Sequence, residues 1–299
     1  MKKRTALLIY AIVIFEMCLI LTTGCKKEKV DNNDPILLKL TFVQIPAGTF
    51  TMGSPTTEVY RSNDETEHQV SLSAFKMSKY EITNAQYAAF LNSKSIGNNG
   101  LYATGTYPTE VLIYASSGNF DWGLHYTGGQ WVPVAGYENY PVINVKWYGA
   151  AEFATYAGGS LPTEAQWEYA CRGNTITPFN TGECLSNEQA NYSWSSTYTT
   201  CTNTIRIEPG STQTVGTYPA NAYGLNDMHG NVWEWCSDFL GPYPNTSQTD
   251  PTGPTTGSYH VMRGGSWHES APGCRSALRF NSFPFISYTT VGFRIALVP

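Results

Sequence analysis

Charge is scarce in this chain of 299 residues: Asp, Glu, Lys and Arg together make up 14%, against roughly a quarter in an average soluble domain. The net charge is only −5, which argues against nucleic acid as a partner. Histidine is equally sparse. His68, His125, His229, His260 and His268 are never three or four residues apart, so a histidine-based nonheme iron site is not expected. Internal repeats at a fixed period are absent. The longest apolar run, Ala6 to Leu21, is broken by Glu16 and is shorter than the roughly 20 residues of a membrane-spanning helix. What the chain has instead is aromatic and neutral: 20 Tyr, 8 Trp and 27 Gly. Such a surface suits an exported protein that recognises its target by stacking and uncharged hydrogen bonds.

The N-terminus supports export. Lys2-Lys3-Arg4 precede the apolar run, which ends in Leu21-Thr22-Thr23-Gly24-Cys25. This reads as a signal peptide over 1–24 with a lipoprotein processing site, leaving Cys25 as the lipidated first residue. The polar stretch 25–40 cannot bury a core and reads as a tether. Residues 41–299 are long enough for one large domain. Cys171, Cys184, Cys201, Cys236 and Cys274 remain in it. Cys184 and Cys201 bracket a Ser/Thr/Asn-rich loop and are the favoured bridge; the odd count leaves at least one free thiol.

Thr41–Ile45, Gly48–Gly53 and Val70–Phe75 have strand character. Thr83 to Gln86 and Thr163 to Gln166 are capping boxes, each opening a helix. A further helix is expected from Trp147 to Ala157, stopped by Gly158-Gly159. Long Gly/Pro/Asn/Thr-rich stretches lie between, so a domain with few helices, short strands and much ordered loop is expected.

Five blocks now stand in order. They are Ile45 to Gly53 (IPAGTFTMG), Tyr80 to Asn84 (YEITN), Leu161 to Tyr169 (LPTEAQWEY), Tyr223 to Trp235 (YGLNDMHGNVWEW), and Arg263-Gly264-Gly265-Ser266-Trp267 followed by Cys274 to Arg279 and Gly292-Phe293-Arg294. Together they resemble the formylglycine-generating enzyme family, also called the sulfatase-modifying factor family. The resemblance implies one C-type-lectin-like α+β domain, loop-rich, with few helices around a short twisted mixed sheet.

It also implies chemistry to be checked residue by residue. Family oxidases hold Cu(I) between two thiolates, soft ligands for a soft ion. The first thiolate follows by three residues the serine matching Ser266, and here that place is Glu269. The second follows by eight, which is Cys274, although Cys274 falls out of register when counted back from Gly292-Phe293-Arg294. Copper is therefore not expected, and Cys274 reads as a structural thiol with Cys171 as its candidate partner. Ser266, His268, Glu269 and Cys274 stay as the catalytic candidates, with His268 and Glu269 the pair for acid–base work. Carried over by position, a calcium loop would use the Asp227 and Glu234 carboxylates and the Gly230 and Val232 carbonyls.

The segment Asn281 to Thr290 is aromatic and β-branched where relatives have a polar loop. Phe283, Phe285, Ile286 and Tyr288, with Trp267, His268 and Glu269, form the candidate ligand-binding face. All ten loop residues also fall within the set produced by adenine-directed mutagenesis of Asn codons, as in diversity-generating retroelement targets, some of which share this fold. The expected function is a lipid-anchored cell-envelope protein, attached to the membrane through Cys25, whose domain binds a protein or small molecule. The alternatives are an active formylglycine-generating or related metal-dependent oxidase, and a structural lipoprotein of a secretion or gliding apparatus.

Overall fold

The structure is a computed structural model that describes residues 40–193, Tyr198, Cys201 and 210–297. The signal peptide, Cys25 and nearly all of the tether lie outside the described residues.

The first strands are β1 (Phe42–Ile45), β2 (Gly48–Met52), β3 (His68–Leu72) and β4 (Phe75–Ser78). The stretch Val70–Phe75, expected as one strand, divides between β3 and β4. They belong to different sheets: β3 pairs with β2, while β4 pairs with β1. The break at Ser73 is pinned by Asp250, whose carboxylate accepts from the Ser73 N–H and hydroxyl, each at 2.7 Å.

Helix α1 (Asn84–Ser93) and helix α3 (Glu164–Arg172) both open on complete capping boxes, Thr83 with Gln86 and Thr163 with Gln166. Each box satisfies two of the otherwise orphaned amide groups of a first turn. Between them lie the hairpin β5 (Leu124–Thr127) with β6 (Gln130–Pro133), and helix α2 (Trp147–Tyr156). Helix α3 stops where Gly173 turns left-handed at φ 55°, the backbone geometry glycine adopts without penalty.

The C-terminal third supplies β7 (Trp233–Phe239), β8 (Gln248–Thr249), β9 (His260–Arg263), β10 (Phe280–Ser282), β11 (Val291–Gly292) and β12 (Ala296–Leu297). Among the described residues there are four small sheets: β8 and β12 join earlier strands in two of them, the other C-terminal strands make a third, and β5-β6 is the fourth. The central one has the order β10-β9-β7-β11, and a second runs β1-β4-β12. The central sheet is mixed, because β11 runs parallel to β7 while β9 and β10 are antiparallel neighbours. One apolar core holds Tyr87 and Phe90 of α1, Phe153 of α2, Trp235 of β7, and Phe293. A second gathers Val70, Phe75, Met77, Trp167 and Ala170, between the N-terminal strands and α3. The fold class is thus α+β, loop-rich, with few helices.

Candidate functional site

The C-terminal signature is built around buried arginines. Arg263, at the end of β9, donates to Glu168 of α3 and to the carbonyls of Ser276 and Ala277. Arg275 is bidentate on Glu65 and also reaches Glu58. Arg279 pairs with Glu164 at 2.7 and 2.9 Å, and Arg294 with Glu234 at 2.7 and 2.8 Å. Each guanidinium fork meets a carboxylate in a dry interior, where breaking one partner alone would leave a costly unpaired charge.

Gly264 and Gly265 follow Arg263 with φ of 100° and 77°. A Cβ on Gly265 would lie 2.5 Å from the Cys274 sulfur, so only glycine admits that thiol. Cys274 is fully buried; burial, then the Glu269 charge, pushes its thiol well up. Cys171 is also fully buried, and burial pushes its thiol to about 12. The expected Cys171–Cys274 bridge is not formed: both are free, as is Cys236. Their neighbour His229 holds them apart in role. It donates from Nδ1 to the Cys274 carbonyl and accepts at Nε2 from the Asn180 N–H. Burial pushes its pKa down to about 4, so it is a neutral wedge in the interior. The favoured Cys184–Cys201 disulfide is present.

Ser266 closes a turn, its hydroxyl accepting from the His268 N–H and its carbonyl from the Glu269 N–H. His268 is exposed. Trp267 is buried edge-on against Trp122, and its indole N–H donates to the Thr289 carbonyl. Glu269, half-buried, accepts from the Trp233 indole at 3.4 Å. The 266–269 turn and the 283–290 loop are therefore tied together through Trp267.

That loop presents its rings outward. Phe283, Phe285 and Tyr288 are 37%, 49% and 42% exposed, and Ile286 is half-buried. Tyr259 meets Phe283 at a tilt with centroids 4.3 Å apart, and Phe283 stacks on Phe285 at 5.1 Å. Phe280, exposed as well, lies 5.2 Å from Trp233 in a parallel stack. Tyr259 and Phe280 were not singled out in the sequence; their signal was only that each sits in or beside a short strand edge. Clefts of about 460 and 480 Å³ exist, but neither takes a lining residue from 266–269 or 283–290. This face is an open platform.

The calcium candidates are placed near one another. Asp227 and Asn231 both hold left-handed backbone, at φ 59° and 61°. Asp227 accepts from the Gly216 N–H at 2.6 Å, yet its second oxygen has no partner. Glu234 is committed to Arg294 and to the Trp167 indole. The residue missed in the sequence is Glu81. It is buried against Asp227, accepts from Asn231 at 2.9 Å, and leaves its other oxygen unpartnered. Burial, then the Asp227 charge, pushes Glu81 well above the usual carboxylate range, and burial pushes Asp227 to about 6.

The pattern of the sulfatase-modifying factor enzyme 1-like domain matches residues 30–298. The chain belongs to this family. It is 32% identical over 284 residues to the formylglycine-generating enzyme of Streptomyces coelicolor, covering 85% of this chain and 88% of that one. It is similar in structure to PvdO from Pseudomonas aeruginosa, with a TM-score of 0.65 and 26% identity, over 85% of this chain and 93% of that one. The Treponema denticola variable protein 1 shares the fold at a TM-score of 0.62 and 24% identity, over 87% and 95% of the two chains. The domain is of the C-type-lectin-like, formylglycine-generating-enzyme type.

Proposed function

We propose that this family domain is a binding module, carried on the cell envelope by a lipid at Cys25, and that its recognition face is the platform of Phe283, Phe285 and Tyr288 with His268 and Glu269 beside it. The supporting observation is a cluster of exposed rings in one short loop on an open surface, with Phe283 stacked on Phe285 and in tilted contact with Tyr259. Such contiguous aromatic area on a soluble domain marks a recognition surface.

The residues do not fit a copper dithiolate. Glu269 stands at one ligand place and is engaged with Trp233, while Cys274 is a buried thiol held neutral by its surroundings. They do fit a hard cation beside Asp227. Asp227, Glu81 and Asn226 each have a buried oxygen without a partner, and Glu81, Asp227 and Glu234 share the single guanidinium of Arg294. Asp227 and Glu81 would hold calcium, with Gly230 and Val232 supplying carbonyls. A bound cation would supply charge neutralisation there, a structural role.

The second reading is a divergent formylglycine-generating oxidase, favoured by the 32% identity to an enzyme of that name. One experiment separates the two: metal content of the purified protein and oxygen uptake with a cysteine-containing peptide. The binding reading expects neither copper nor turnover; stoichiometric copper with oxygen uptake would overturn it. Diversification of the loop expects a near-copy of the codons for the last segment of the chain beside a reverse-transcriptase gene.

A further inference from the structure

Lys146 is out of place electrostatically. It is the N-cap of α2, where Ser, Thr, Asp or Asn is preferred and a cation opposes the helix dipole. It makes no capping bond, and the first turn of α2 carries no acid. The residue is only 5% exposed, yet among the described residues its ammonium has no carboxylate partner. Its one hydrogen bond is to the Tyr114 hydroxyl at 3.2 Å, and it lies 4.5 Å from the centre of the Tyr114 ring. A buried ammonium with two N–H groups left over is costly to keep.

Its position ties it to the aromatic platform. Residues 144–147 run between two segments. On one side Tyr114 N–H donates to Asn144 and Lys146 N–H to Leu112. On the other, Asn144 N–H donates to Tyr288 and Trp147 N–H to Pro284. Tyr114, 53% exposed, covers the ammonium, and the backbone on either side of Lys146 holds the loop that carries Phe285 and Tyr288.

We infer that Lys146, beneath Tyr114, is an anion subsite of the recognition face, and that the ligand carries a carboxylate attached to an aromatic or branched apolar group. This rests on the reading of the platform as a binding face. The charge fits one carboxylate. A dianionic phosphate calls for several donors or an arginine fork, and here a single point charge is available. The apolar group lies on the rings, and the carboxylate takes the free N–H groups of Lys146, with the Tyr114 hydroxyl as a second donor.

Ligand-observed NMR tests this with N-acetyl-L-phenylalanine and its amide, and with the tripeptide Ala-Ala-Phe bearing a free or an amidated C-terminus. The expected result is that the free acids bind at least roughly five-fold more tightly than the amides, as a charge-assisted hydrogen bond gives. Whether the small acid or the tripeptide acid binds better tells which source of carboxylate is preferred. Lys146→Ser should abolish the acid preference while leaving the melting temperature equal or higher, since serine caps the helix. Phe285→Ala should weaken acid and amide alike. Acid and amide binding equally to the native protein would overturn the anion subsite and leave the platform standing. Binding of neither would overturn both. A Lys146→Ser protein that keeps the acid preference would also overturn the subsite.

Discussion

Asp238 shows how burial sets charge at a single residue. Its carboxylate accepts from the Glu164 N–H and the Ser237 hydroxyl, but burial, reinforced by the Glu164 charge, pushes its pKa from 3.8 to about 7. An acid whose folded pKa is raised contributes stability that is present below its unfolded pKa and lost as pH rises through the folded one. His229 and His260 act in the opposite direction. Burial pushes both to about 4, so their contribution is present above about 6.5 and is lost as pH falls through about 4. Comparing the native protein with Asp238→Asn isolates the first effect. The native protein should gain on the variant by on the order of 2–4 kcal/mol between pH 8 and pH 4. Urea melts at the two values measure this, and a gap independent of pH would show that Asp238 titrates normally.

At the level of elements, the helices differ in how they begin. Helices α1 and α3 have full capping boxes; α2 begins on a lysine. Thr163→Ala should cost about 1 kcal/mol, because it strands the Gln166 amide at a buried first turn. The glycine turn after β9 has less tolerance. Gly265→Ala meets both a left-handed backbone and the Cys274 sulfur, so a loss of more than about 1 kcal/mol is expected. Thermal denaturation of both variants checks these values; a neutral Gly265→Ala would mean the turn relaxes away from Cys274. Strand division at Ser73 belongs to this scale too. Alternating residues in Val70–Phe75 carried one continuous signal, but the partner strands and the Asp250 clamp come from distant sequence.

At the scale of the whole fold, the described residues are held by long-range ion pairs and one disulfide. Arg275 reaches Glu58 and Glu65 across more than two hundred residues, and Arg294 spans 60 residues to Glu234. These join the two ends of the described chain around the central sheet. The Cys184–Cys201 link closes a short loop with a separation of 17. Replacing both cysteines with serine should cost about 3 kcal/mol by the chain-entropy relation. A denaturation midpoint that is unchanged, with reductant and without, would show that the loop is held by its packing alone. Because that loop docks through Tyr198 against Phe179, the effect should leave the 283–290 platform intact.

Much of this was legible in the sequence. Capping boxes at Thr83 and Thr163, the stop at Gly158, the Cys184–Cys201 pair and the five ordered blocks are local patterns, and local hydrogen bonding or family membership is enough to fix them. The aromatic character of 281–290 was legible too, since composition alone departs from a polar loop. Other features needed the chain to be folded. Cys171 and Cys274 are both buried beside His229 but unbridged, a matter of geometry that spacing does not encode. Glu81 meets Asp227 only because two distant segments converge, and their shared burial, not their sequence, raises both pKa values. Whether an aromatic loop packs inward or faces water is likewise a tertiary choice: here residues 144–147 take its backbone hydrogen bonds and leave the rings outside. The sequence by itself determined the family and the helices, because capping and motif order are local. Only the folding of the whole decided which thiols are sealed in, which carboxylates stand unpaired, and that the final loop is a surface.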